Sequence, residues 1–180
     1  MSSTAAAKYP PRAQAYYALI MFTVANFVSF LDRSTLNLVV QPIEHALNVS
    51  DTQMGLLQGF AFNMFYSLLA IPFGYLADRT NRMRMLAFGI AVWCFMTMLT
   101  GLADSYIELL VARMGVGVGE ATLTPAVVSL IADYFMPTQR GRALGTFTLA
   151  NFLGSGAAGL IGGAILRHFE GQDFVTFPIV

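Results

Sequence analysis

Apolar residues run along this chain in long continuous stretches rather than alternating with polar ones. Five stretches reach the roughly 20 residues that a helix needs to cross the hydrocarbon core of a bilayer. They are Tyr16–Val40, Met54–Ala77, Met85–Ala103, Tyr106–Ala132 and Ala143–Leu166. The third and fifth contain no charge. Pro72 and Pro125 fall inside spans two and four, which membrane helices tolerate when neighbours resatisfy the freed backbone. The short alternating segments of a membrane β-barrel are missing. The first stretch is too long for the apolar core of a cleaved signal peptide and holds Asn26, Asp32 and Arg33, so it reads as a retained span. Phe174–Val180 is apolar again and reads as the start of a sixth span. The expected fold is therefore an all-α membrane bundle of five transmembrane helices plus the start of a sixth. Residues 1–15 form a cytoplasmic tail and residues 16–180 the bundle. The architecture reads as cut short, with a complete five-span protein as the alternative.

Composition agrees with a bilayer setting. Hydrophobic residues make up 56 % of the 180 and charged residues 11 %, with a net charge of zero. A soluble domain carries about 25 % charged residues. A nucleic-acid binder with a basic face and a disordered chain are excluded. Cys94 is the single cysteine, which excludes an internal disulfide and a cysteine metal site.

Lysines and arginines set the orientation. Lys8 and Arg12 precede span one, Arg79, Arg82 and Arg84 lie between spans two and three, and Arg140 and Arg142 between spans four and five. The opposite side has Arg167 alone. The N-terminus is expected in the cytoplasm. Short loops without targeting extensions favour a bacterial inner membrane.

Charges within spans are costly and tend to face a cavity, pair with one another and carry function. Four stand out: Asp32 and Arg33 in span one, and Arg113 and Glu120 in span four. At ~100° per residue, Asn26, Ser29, Arg33 and Asn37 share one face of span one, with Asp32 beside it. Arg113, Gly117, Glu120 and Thr124 share a face of span four, and Thr148, Asn151 and Ser155 repeat the spacing in span five. These stripes are expected to line one polar cavity, in which Asp32 and Glu120 take up protons and Arg33 and Arg113 attract anions. The plainer reading is that the charges only pair to hold helices together.

Gly55 with Gly59, Gly115 with Gly119, and Gly159 with Gly163 have the spacing that lets membrane helices approach closely. Gly115, Gly117 and Gly119 lack the preceding strand and the lysine of a nucleotide loop. No cofactor is expected. His45 and His168 stand apart and make no H-E-x-x-H grouping, which argues against a membrane enzyme.

Between spans two and three the chain reads Gly74-Tyr75-Leu76-Ala77-Asp78-Arg79-Thr80-Asn81-Arg82-Met83-Arg84. An acidic helix end followed by three arginines in a tight turn makes a candidate latch. Gly74 would allow close helix approach, and Asp78 would accept from an arginine or a helix N-terminus. A plain topogenic basic loop is the alternative.

This segment resembles the cytoplasmic signature of the major facilitator superfamily, with Asn81 in place of the usual glycine and Met83 intruding. Arg113 and the glycines after it resemble that superfamily's helix-four motif. The glycines of span five approach its antiporter pattern, except that Ala158-Gly159 stands where Gly-Pro is usual. More narrowly, Phe30-Leu31-Asp32-Arg33-Ser34-Thr35, the stretch from Arg113 to Glu120-Ala121, and Asp133-Tyr134-Phe135 with Arg140 resemble the Spinster-like branch. The resemblance implies one half of a twelve-helix secondary carrier whose C-terminal half would be its partner. It implies alternating access, proposed proton coupling, and export of lysolipid or sphingoid amphiphiles. It makes Asp32 and Glu120 proton-responsive, Arg33 and Arg113 their partners or headgroup ligands, and Gly74, Asp78, Arg79 and Arg82 part of the latch. A carrier of a small organic anion or a sugar is the competing function, and a sensor on the same fold is a further one.

Overall fold

In the computed structural model, which describes residues 9–169, all regular structure is helical. Among the described residues, five helices are long and apolar enough to cross a membrane: Arg12–Leu38, Asp51–Arg79, Arg82–Gly101, Tyr106–Tyr134 and Pro137–Ala164. They coincide with the five expected spans, because a helix that satisfies its own backbone is the form a long apolar run takes in lipid. The last of them continues to Phe169. The suggested sixth span, the first eight residues of the tail and the side chains of His45 and His168 lie outside the described residues.

Span four is the most enclosed of the five. Spans two and three pack against it, and spans one and five pack along each other. The largest buried cluster joins Leu19 and Phe22 of span one, Met85 and Leu86 of span three, Val127 and Leu130 of span four, and Phe147 of span five. Large apolar side chains point outward, among them Ile71, Phe88, Phe152 and Leu160. In lipid these faces are solvated, so the exposed apolar surface has its natural covering.

Two spans are irregular, each for a local reason. Span four breaks at Ala121 and Thr122, between helical segments Tyr106–Glu120 and Leu123–Tyr134. Pro125 cannot donate to the carbonyl four residues back, so the helix opens just after Glu120. The Thr122 hydroxyl donates to the Gly119 carbonyl at 2.9 Å and fills part of the gap. In span two, Leu56–Ala61 forms a π-helical turn. Such turns are wider than α turns and are frequent at functional sites.

Glycine has the expected packing role at some positions only. A Cβ on Gly119 would lie 2.6 Å from the Trp93 nitrogen and 2.7 Å from the Gly89 carbonyl, so spans three and four touch backbone to backbone. One on Gly154 would lie 2.5 Å from the Phe27 carbonyl, between spans five and one. At Gly55, Gly59 and Gly159 a Cβ would meet open space among the described residues, which the spacing argument did not anticipate. Gly74 is open as well: among the described residues a Cβ there would meet nothing within 4 Å. Spacing marks a face, whereas packing depends on whether a neighbour reaches it.

Candidate functional site

The four charges expected inside the spans come together between spans one and four. Arg33 donates from Nε to Glu120 Oε2 at 2.6 Å, and its Nη2 lies 2.5 Å from the same oxygen. The Glu120 side chain is fully enclosed, that of Arg33 a quarter exposed. Buried Ser29 stands beside the carboxylate. Asp32 turns to an earlier part of span four, seven residues before Glu120, where its Oδ2 lies 3.5 Å from Arg113 Nη1. Two carboxylates and two guanidiniums thus form a neutral set, which is what makes their burial tolerable.

Aromatic rings surround the Arg33 guanidinium. Its central carbon lies 4.5 Å from the ring centre of Phe62, 4.7 Å from Tyr66 and 5.1 Å from Phe30. Phe62 and Tyr66 stack on each other, with ring centres 5.9 Å apart. A planar guanidinium gains from such faces in a way an ammonium does not.

The set is not fully hydrogen-bonded. Glu120 Oε1, Asp32 Oδ2 and Arg113 Nε are buried without a hydrogen-bond partner among the described residues. Buried polar atoms are seldom left so, and an exception asks for a functional account.

Two cavities adjoin the charges. One, of about 180 Å³, is lined by Arg33, Asn37, Gln58, Asn63 and Arg113 together with Leu36, Leu57 and Phe62. The other, of about 130 Å³, is mainly apolar and is lined by Asp32, Thr35 and Arg113 among Val39, Ile43, Leu47 and Leu109. Leu36 and Arg113 belong to both.

The remaining candidates divide. Asn37 lines the polar cavity. Asn26 and Asn151 line neither cavity. The Asn26 amide donates to the Phe147 carbonyl at 2.8 Å and to the Asn151 side-chain oxygen, tying span one to span five. Thr148 donates to its own helix at the Leu144 carbonyl, 3.0 Å away. Gln58 and Asn63 were not singled out, and polar residues in a span do signal an interior role. The π turn that brings Gln58 to the cavity was not legible.

The basic loop also departs from expectation. Asp78 is exposed and makes no hydrogen bond or ion pair among the described residues, so the anticipated contact to an arginine is not made. Arg79 stacks on Tyr75, 4.2 Å from the ring centre. Arg82 donates from Nε to the Ala77 carbonyl at 3.0 Å and pairs with Asp133 at the end of span four. Arg140 closes the same end, donating to the carbonyls of Ala132 at 2.7 Å and Phe135 at 3.1 Å. The cation of this loop therefore finds its acid in span four, on Asp133, whose role the sequence had left open.

A family model described as Major Facilitator Superfamily matches residues 22–175. The chain belongs to the major facilitator superfamily. Its relatives place it in the Spinster-like branch. It is 39 % identical over 153 residues to human Protein spinster homolog 1, covering 82 % of this chain and 28 % of the relative. It is 34 % identical over 164 residues to an MFS-type efflux pump of Mycolicibacterium smegmatis, covering 91 % and 38 %. It is 31 % identical over 137 residues to a probable L-galactonate transporter of Escherichia coli, covering 76 % and 30 %. The chain thus spans well under half the length of each. Among solved structures it is similar to a bacterial homolog of the human lysosomal transporter Spinster in an inward-facing, occupied conformation. That likeness has a TM-score of 0.83 and 39 % identity, and covers 92 % of this chain and 35 % of the other. The unoccupied conformation of such a homolog matches with a TM-score of 0.84 and 34 % identity, covering 94 % and 39 %. In this superfamily frame, the charge set of spans one and four and the arginines between spans two and three belong to one helical bundle.

Proposed function

We propose that this bundle is the N-terminal half of a secondary carrier in which Asp32 and Glu120 couple proton movement to substrate movement. The second half is a bundle of similar size, and the substrate path runs between the two. Alternate opening to each side follows from rocking of one bundle against the other. The observation that carries this reading is the pair of Arg33 with the enclosed Glu120, whose Oε1 has no hydrogen-bond partner among the described residues. A proton on Glu120 removes the charge that Arg33 holds and loosens span one from span four. A proton can shift the conformational equilibrium only by binding its states differently, and breaking this contact in one state supplies that difference. Asp78, left unpaired here, is available to the second bundle as part of the latch. The N-terminus is cytoplasmic and the setting a bacterial inner membrane.

The substrate class we favour is an amphiphile of lysolipid or sphingoid type, moved outward. Likeness to Spinster proteins and to an efflux pump supports it. So does the geometry, in which a polar and a mainly apolar cavity meet at Arg113 and Leu36. A small organic anion is the second reading, favoured by the relative named as a probable L-galactonate transporter. Competition binding of lysolipids against small acids separates the two. For coupling, Asp32→Asn and Glu120→Gln are introduced into the whole carrier in proteoliposomes. Loss of the pH dependence of flux supports the proposal, and unchanged dependence in both variants removes it.

A further inference from the structure

We infer that the π turn Leu56–Ala61 in span two is a conformational switch, whose tightening to α geometry withdraws Met54 and Leu57 from the plug that closes one end of the bundle. This deepens the carrier reading above and rests on it for the two states of the cycle. The turn joins two helical flanks, Asp51–Gly55 and Phe62–Arg79. Different neighbours hold each flank. Toward the basic loop, Phe62 packs with Trp93 and Val116, and a Cβ on Gly117 of span four would lie 2.9 Å from the Phe62 carbonyl. Toward the opposite end, Met54 and Leu57 are 2 % and 0 % exposed in a cluster with Leu36, Ile43, Ala103 and Leu109. This cluster is the plug. It draws on spans one, two and four, on the helix Val40–Leu47 and on the turn after span three. Leu36, Ile43, Ala103 and Leu109 also line the cavity of Asp32 and Arg113, so the plug closes over the charge set.

An α-helix advances about 100° and 1.5 Å per residue, and a π turn is wider, taking one residue more into the same turn. If the Phe62 flank stays in place, tightening the turn moves each residue of the other flank to about the place its predecessor holds. Gly55 then stands where Met54 is, and Gln58 where Leu57 is. Two large apolar side chains give way to a glycine and an amide, and the plug opens. Three features suit the turn to this motion. A Cβ on Gly55 or Gly59 would meet nothing within 4 Å among the described residues, and glycine gives a helix the freedom to change its turn. Gln58 Nε2 is buried without a hydrogen-bond partner among the described residues, a cost of the wide form that opening to water relieves. The Asn63 amide donates to the Gly59 carbonyl at 2.8 Å and braces the wide form, so neither form is favoured by every contact.

Pulsed electron–electron spin resonance on the purified whole carrier in nanodiscs tests the switch. Spin labels at Thr52→Cys and Leu102→Cys, both exposed, with Cys94→Ser and any other cysteine replaced, read a rotation of the short flank by about 100°. Distances are taken across a pH series, with and without lauroyl lysophosphatidate, and counterflow of that lipid and of gluconate is measured in proteoliposomes. The wild type should show two distances whose proportions change over the series. Deletion of Phe60 removes the additional residue of the turn and leaves both flanks where they are, so it should give one distance and a loss of counterflow. Asn63→Leu removes the brace and should shift the proportions toward the second distance. Gly55→Met has room among the described residues in the wide form and refills the plug in the tight one, so it should keep both distances yet lose counterflow. A single distance in a wild-type carrier that transports overturns the proposal, as does wild-type counterflow in the folded Phe60 deletion. If that deletion fails to fold, wild-type counterflow in Gly55→Met overturns it instead. Proton coupling is judged separately by Glu120→Gln, whose pH profile does not depend on the distance between Thr52 and Leu102.

Discussion

Asp32 and Arg33 are neighbours in the chain, yet they grip span four at two separate places. Asp32 meets Arg113 at 3.5 Å and Arg33 meets Glu120 at 2.5 Å. Arg113 and Glu120 are seven residues apart, about two helical turns or ~10 Å along the axis. Span one is therefore fixed to span four against both sliding and rotation, by two pairs of opposite polarity. A disturbance at one pair changes the leverage on the other.

The Arg33–Glu120 pair should be worth more as a unit than either member alone. Glu120→Gln leaves the partly exposed Arg33 guanidinium without its acid and should destabilise the whole carrier, by less than the roughly 3–5 kcal/mol that follows when a fully buried pair is broken. The double variant Arg33→Gln with Glu120→Gln should cost less than the two single changes added together. Chemical denaturation in mild detergent measures the cycle, and strict additivity would show that the pair is not coupled.

Flux follows from the same contact. Because a proton on Glu120 cancels the charge that Arg33 holds, Glu120→Gln should copy the acid limit of the wild type at every pH. Counterflow in proteoliposomes across a pH series checks this, and a variant that still follows the wild-type profile would assign proton sensing to another group.

The backbone contact between spans three and four predicts a contrast between two glycines. Gly119→Ala forces a methyl against the Trp93 nitrogen and the Gly89 carbonyl and should cost about 1–3 kcal/mol, the usual penalty of overpacking. Gly145→Ala, where a Cβ meets open space, should be close to neutral. Melting temperatures of the two variants side by side decide the point.

Asn26 is buried and bonds both the Phe147 carbonyl and Asn151. Asn26→Ala should cost about 1–3 kcal/mol, because it strands polar groups between spans one and five. If substrate affinity is unchanged while stability falls, Asn26 is a helix clamp; a fall in affinity alone would make it a ligand.

Arg82 and Asp133 form an exposed pair, so their coupling energy should stay below about 1 kcal/mol and fade with salt. Removal of either should show mainly in the balance of inward- and outward-open states. Cysteine accessibility on the two faces of the membrane measures that balance.

The five spans were legible because backbone in lipid must satisfy itself, and a continuous apolar run of about 20 residues has one economical way to do so. The intramembrane charges were legible for a related reason, since each is costly enough in lipid to announce a partner. Resemblance of Asp32-Arg33, Arg113-to-Glu120 and the basic loop to superfamily motifs located the family in the sequence itself. Helical periodicity showed that Asn26, Arg33 and Asn37 share a face. It could not show that Asn26 would be taken by span five while Arg33 went to span four, because a face may meet several neighbours. Likewise the acid for Arg82 proved to be Asp133, fifty-one residues away, and Asp78, four residues away, stayed open. The π turn that delivers Gln58, and the choice of which glycines are pressed against a backbone, were decided by tertiary packing alone. Sequence determines what a helix offers on each face, but the arrangement of its neighbours determines which offer is taken.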